Sequence, residues 1–194
     1  MIRTALLTLV TLAIAIGLGG ASVWYALDSR QGVGAVDVGG WVAHPDMGTP
    51  DADPYTKARI AREGILTLGR AEGISFVAER DSGGAPLLAE CSYAIEGVVP
   101  PARFWTLFAV DEASHGLPAS GGRQAAIQSY ALSRAADNSV AIAIGRRPRP
   151  GNWMLVNASG PMALVLTLYD TPVTAGGDLA ELAMPQVLRI GCDA

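Results

Sequence analysis

Phe104-Trp105-Thr106-Leu107-Phe108-Ala109-Val110 is the stretch whose reading decides how this chain folds. It is a short, near-continuous apolar run rich in aromatic and β-branched residues, with prolines before it and Asp111 after it. A run of that length and composition is expected of a buried central strand. Working outward, Ile74 to Glu79 alternates, with Ile74, Phe76 and Ala78 on one side and Ser75, Val77 and Glu79 on the other. Asp81-Ser82-Gly83-Gly84 is a turn signal, and Leu88 to Glu96 reads as the return strand. Ala125 to Leu132, Val140 to Ile144, Met162 to Tyr169 and Val187 to Cys192 continue the pattern, separated by Gly, Pro, Asp and Ser clusters. Many short strands so punctuated predict a mainly β fold, an antiparallel β-sandwich or jelly roll. One short helix is expected: Asp53 caps it, Pro54 takes its first position, Tyr55 to Arg62 continue it and Gly64 stops it.

Thr4 to Leu27 contains no charged residue. A bilayer core of about 30 Å needs roughly 20 apolar helical residues, so residues 4–27 are long enough to span one. Trp24 and Tyr25 stand at the far end, where aromatic rings favour the headgroup level, and Asp28 and Arg30 end the run. The competing reading is a cleaved signal peptide, with Gly19 and Ala21 at a cleavage site. Arg3 is the basic side chain ahead of the span, so the positive-inside rule leaves that end in the cytoplasm and the rest outside. The expected organisation is therefore a transmembrane helix (1–27), a juxtamembrane linker (28–52) and a β domain (53–194). The linker is punctuated by Gly32, Gly34, Gly39, Gly40, Pro45 and Pro50, with a short strand around Val36 to Ala43.

The chain has 194 residues, half of them hydrophobic and 16% charged, with a net charge of −4. That composition excludes a disordered chain and argues against a nucleic-acid partner, which needs a basic face. The two cysteines, Cys91 and Cys192, belong to no CxxC or Cys/His cluster, so no metal site is expected of them. In an exported domain they read as one disulfide; two separate buried thiols are the other reading.

Asp53-Pro54-Tyr55, Glu72-Gly73, Cys91-x-Tyr93, Arg103-Phe104-Trp105-Thr106-Leu107, Pro150-Gly151-Asn152-Trp153, Leu168-Tyr169-Asp170-Thr171-Pro172, Pro185 and Cys192 form a recognisable set. Together, over roughly residues 53–192, they resemble the bacterial family known as domain of unknown function 1214. The resemblance implies a jelly-roll-like β fold and a single-span envelope protein. Longer members carry a second domain, numbered 1254, so it also implies a separately encoded 1254-type domain as partner. It carries over no catalytic residues and no cofactor. The chain departs from the family pattern at Thr167, where an arginine is frequent, and at Asn138-Ser139, where Asp-Gly is frequent.

No nucleophile elbow or S-x-x-K motif accompanies the two histidines, His44 and His115. His44, Asp46, Asp51 and Asp53 cluster without EF-hand spacing, and Asp53 is better read as a helix cap. The glutamate pairs Glu72/Glu79 and Glu90/Glu96 read as solvent-facing strand residues, and Arg146-Arg147-Pro148-Arg149 as a solvated turn. The set most suggestive of ligand binding is Arg103, Trp105, Asn152, Trp153 and Tyr169: aromatic rings, an arginine and an amide suit a sugar or small-ligand groove. Its structural alternative has Trp105 in the core, Arg103 paired with a carboxylate and Asn152 bonding backbone. The expected function is a membrane-anchored periplasmic binding or interaction module of the bacterial inner membrane. An envelope enzyme acting on a carbohydrate or small organic substrate is the alternative.

Overall fold

The computed structural model describes residues 2–28, 34–64, 66–119, 125–175 and 179–192. Arg30 and Gly32 lie outside these. The chain opens with helix α1 (Ile2–Asp28), whose residues Ile2–Tyr25 are long and apolar enough to cross a membrane, with mean hydropathy 2.1 and no part buried against the protein. Thr8 and Thr11 donate their hydroxyls to the carbonyls one turn back, so no polar group of theirs is left open in an apolar surround.

The short strand expected around Val36 to Ala43 is a hairpin, β1 (Val36–Val38) and β2 (Trp41–Ala43). Gly39 and Gly40 make its two-residue turn with φ of +61° and +87°, the left-handed pair such turns need. Helix α2 (Pro54–Glu63) comes next, as the sequence predicts. The Asp53 carboxylate accepts the Tyr55 and Thr56 amides, and Gly64 ends the helix at φ +63°.

The remaining strands are β3 (Gly73–Ala78), β4 (Cys91–Gly97), β5 (Phe104–Val110), β6 (Ala126–Gln128), β7 (Val140–Gly145), β8 (Asn152–Leu155), β9 (Ala163–Tyr169) and β10 (Gln186–Cys192). They form a six-stranded sheet, β1-β2-β3-β9-β5-β6, and a four-stranded sheet, β10-β4-β7-β8. The inner faces share one core: Phe76, Leu107 and Leu166 from the large sheet meet Tyr93, Ile95 and Ile142 from the small one. The fold is a mainly antiparallel two-sheet sandwich, with β7 and β8 paired in parallel. The alternation read at residues 74–79 is the observed burial, Ile74, Phe76 and Ala78 facing in.

Three local expectations need revision. The 81–84 turn forms, with Asp81 Oδ1 accepting from the Gly83 and Ala85 amides, but 88–96 does not return along β3. Both edges of β3 are already taken, by β2 and β9, so the chain crosses and β4 joins the other sheet. The strand within 125–132 shrinks to three residues. The sequence predicts no strand at Asn152–Leu155, which forms edge strand β8.

Cys91 and Cys192 are joined by a disulfide, 101 positions apart in sequence. It ties the last paired position of β10 to the first of β4. Nearby, the Tyr93 hydroxyl accepts the Leu88 amide at 2.8 Å and the Arg189 side chain pairs with the buried Asp81 carboxylate at 2.8 Å. Burial pushes the Tyr93 phenol above its usual range.

Candidate functional site

Strand parity sets which side chains of the large sheet face away from the core. On β5 Trp105, Leu107 and Ala109 are buried on the core side, Val110 is buried at the strand's end, and Phe104, Thr106 and Phe108 lie on the outer face. The β9 register places Tyr169 beside Phe104 and Thr167 beside Thr106. Ser75 of β3 and Gln128 of β6 continue the second of these rows.

At one end of the strands the outer face carries three rings in sequence across the sheet. Phe104 stands between Tyr169 and Tyr130, with centroids 5.6 and 5.2 Å away and planes within about 30°. Tyr130 ends the row and is 78% exposed. One residue pair along the strands lies a hydroxyl and amide row: Ser75, Thr167, Thr106 and Gln128. The Ser75 and Thr167 hydroxyls bond each other at 2.9 Å. Thr167 is 4% exposed, held in that hydroxyl pair.

The segment carrying Tyr130 is fixed from both sides. The Ser129 amide donates to the Trp105 carbonyl (2.9 Å) and the Trp105 amide to Ser129 Oγ (3.2 Å). Further along, Asn152 Oδ1 accepts the Ser133 amide at 2.8 Å. Its Nδ2 donates to the carbonyls of Ser133 (2.8 Å) and Ala141 (3.0 Å). Asn138 then takes the left-handed turn position at φ +65°, a conformation asparagine tolerates.

The five residues singled out from the sequence therefore divide. Arg103 and Tyr169 lie at the aromatic end of the large sheet. Arg103 meets Asp170 at 3.5 Å, with both side chains mostly in solvent. Trp105 is on the core side, 2% exposed, with the Arg134 guanidinium 5.8 Å from its ring centroid and its indole Nε1 without a hydrogen-bond partner among the described residues. Asn152 and Trp153 belong to the small sheet: Asn152 clamps the 129–139 segment, and the Trp153 indole donates to the Gly145 carbonyl at 3.1 Å. Phe104 and Tyr130 complete the aromatic row, and sequence reasoning missed their part. The parity of β5 separates Phe104 from Trp105, but the pairing that brings Tyr130 alongside is long-range.

The other candidates are engaged elsewhere. His115 pairs with Asp111 at 3.5 Å in an exposed loop, and its backbone amide holds the Asp111 carboxyl below the usual carboxylate range. His44 is partly buried, and desolvation first, then the nearby Arg59 charge, lowers its pKa below 6.5. Asp46 pairs with Arg70, and among the described residues no three His, Cys, Asp or Glu side chains gather to hold a metal ion. Glu72 accepts the Gly69 amide and Glu90 the Gly160 amide, both at 2.9 Å. Arg146 is spent on Ala158 and Ser159. At the opposite end of the strands a groove of about 520 Å³ is lined by Glu79, Arg80, Leu87, Asp111, Glu112 and Met162.

The molecule so described is a disulfide-closed, two-sheet β-sandwich carrying an apolar N-terminal helix. Residues 72–173, just over half of the chain, match the family model described as protein of unknown function DUF1214, and the chain belongs to that family. Among solved structures, the VPA0106 protein of Vibrio parahaemolyticus is similar with a TM-score of 0.57 and 16% identity, over 72% of this chain and 36% of that one. An uncharacterised protein of Burkholderia cenocepacia aligns with a TM-score of 0.38 and 16% identity, over 92% of this chain and 51% of that one. The chain thus spans about a third of the Vibrio protein's length, and the likeness is one of fold. No curated protein matches this chain.

Proposed function

We propose that this protein is a binding or interaction module of the bacterial cell envelope, held at the inner membrane by α1 with its β-sandwich in the periplasm. The observation that carries the reading is the joining, in one chain, of a solvent-exposed apolar helix and a disulfide-closed domain. Disulfides persist in oxidising compartments, and a span of this length anchors the domain attached to it. Arg3 at the head of the helix favours a cytoplasmic N-terminus, so the sandwich emerges on the oxidising side. Its binding surface is the aromatic end of the large sheet, where Arg103 and Tyr169 stand with Phe104 and Tyr130; Trp105 and Asn152 position that surface from behind.

The solved Vibrio relative is nearly three times as long as the stretch it shares with this chain. That excess supports a protein partner as well: a separately encoded 1254-type domain packing on this one.

The topology is tested by fusing alkaline phosphatase, or green fluorescent protein, to the C-terminus. Phosphatase activity with a dark fluorescent fusion is expected; the reverse pattern refutes the orientation. Recovery of the mature chain in salt-washed extracts without its first two dozen residues refutes the anchor. Co-purification from membranes with a 1254-type protein supports the partner, and a lone monomer counts against it.

A further inference from the structure

We infer that the outer face of the large sheet, at the Tyr130 edge, binds a linear chain of neutral pyranose sugars. This rests on the binding-module reading and names its ligand class.

Tyr130 is the starting observation. A tyrosine 78% exposed on a turn ordinarily lies free, but this one has a face packed on Phe104, which is itself packed on Tyr169. The stack holds the ring in place and leaves its other face as the end of the row. The backbone bonds at Ser129 and the three bonds of Asn152 fix the main chain on either side. A ring presented this way loses little freedom when a ligand covers it, which is what favours binding at a preformed surface. A pyranose suits the open face: its axial C–H groups form an apolar patch of positive edge character, and the π face is negative.

The rows beside the ring supply the rest of the recognition. Gln128 is exposed on the same face two residues before Tyr130, opposite Thr106. An amide with two donors and an acceptor, beside a hydroxyl, matches the ring substituents of a sugar stacked on Tyr130. The charges at this end cancel locally: Arg103 and Asp170 form a pair at 3.5 Å. Neither member of that pair is a free charge for an anionic polymer or a phosphate, and the groups beside Tyr130 are an amide and a hydroxyl, which favours a neutral ligand. The exposed residues of this face, Gln128 and Tyr130, stand at the β6 edge and not in an enclosed cavity, which suits a polymer segment better than a small enclosed metabolite.

The test uses the full chain in a zwitterionic detergent without a sugar headgroup, titrated with tetra-N-acetylchitotetraose and with cellotetraose and followed by calorimetry. Saturable binding of at least one is expected. Tyr130→Ala should weaken it at least tenfold, and Tyr130→Phe should stay within about threefold because stacking needs the ring and not the hydroxyl. Gln128→Leu should weaken it several-fold. The two probes separate an acetamido-sugar ligand from a plain glucan. Absence of binding by both probes well into the millimolar range overturns the inference, as does a folded Tyr130→Ala variant that binds like the parent. Tighter binding of tetragalacturonate than of the neutral probes also overturns it. None of these results depends on where the C-terminal reporter sits, so failure here leaves the membrane-anchor reading to its own test.

Discussion

Opening the bond between Cys91 and Cys192 should cost this domain a large part of its stability. The loop it closes spans 101 positions. In the chain-entropy account, a loop of about 100 residues restrains the unfolded chain by about 4.7 kcal/mol at 25 °C. Domains of this class have roughly 5–15 kcal/mol in total, so a third or more is at stake. Cys91 is buried and Cys192 exposed, so the comparison is cleanest between oxidised and reduced wild type, with Cys91→Ala/Cys192→Ala as a check. Urea unfolding followed by the fluorescence of Trp41, Trp105 and Trp153 reports on the sandwich, and α1 contributes only a constant background from Trp24. The midpoint should fall, and the thermal midpoint should drop by roughly 10–19 °C for a domain of this size. The denaturant slope should rise, because the reduced unfolded chain is more extended. A loss below about 1 kcal/mol would refute the reasoning, since the β10–β4 ladder would then close the fold without help from the covalent tie.

Three further outcomes rest on local geometry. His44 has a folded pKa below its ordinary 6.5, so its contribution is complete above that value and is lost as pH falls through the folded pKa. Unfolding free energy should therefore decline as pH falls below about 6.5 in wild type and do so less in His44→Gln, as measured by urea titration. Gly73 has φ +155°, and a Cβ there would sit 2.0 Å from the Leu168 carbonyl oxygen, so Gly73→Ala should destabilise by about 3 kcal/mol; an unchanged thermal midpoint would contradict the β3–β9 register. Asn152→Ala removes an acceptor and two donors and should cost roughly 1–2 kcal/mol, and Asn152→Asp should cost at least as much, because Oδ1 still accepts from Ser133 but its second oxygen faces the Ser133 and Ala141 carbonyls. Hydrogen exchange at the Ser133 amide distinguishes the two variants.

The elements were readable where local chemistry alone selects them. Phe104 to Val110 matches β5 end for end, residues 74–79 alternate as the sandwich buries them, and Asp53-Pro54 with Gly64 brackets α2. Edge strand β8 was hidden because Pro148, Pro150 and Gly151 mark a turn so strongly that the apolar Trp153 to Val156 behind them reads as its continuation. Pairing was not readable at all. Nothing local to 88–96 says that β3 already has two neighbours, and so nothing says that the chain must change sheets after the Asp81 turn. The same limit governs the site. Tyr169 and Arg103 could be named as residues of the right chemistry. Whether they share a face with Asn152, and which ring stands next to Phe104, depends on contacts between β9, β5 and the segment after β6, far apart in sequence.

The last strand has a consequence for how the protein is made. β10 and β9, the latter the central partner of both β3 and β5, leave the ribosome after every strand they pair with. Until those segments arrive, β3, β4 and β5 wait with bare edges and Val187 is missing from between the sheets. Completion of the sandwich thus waits until residue 192 has been delivered. A synthesis stalled short of residue 186 would leave an adhesive intermediate with bare strand edges, a ready substrate for proteolytic surveillance.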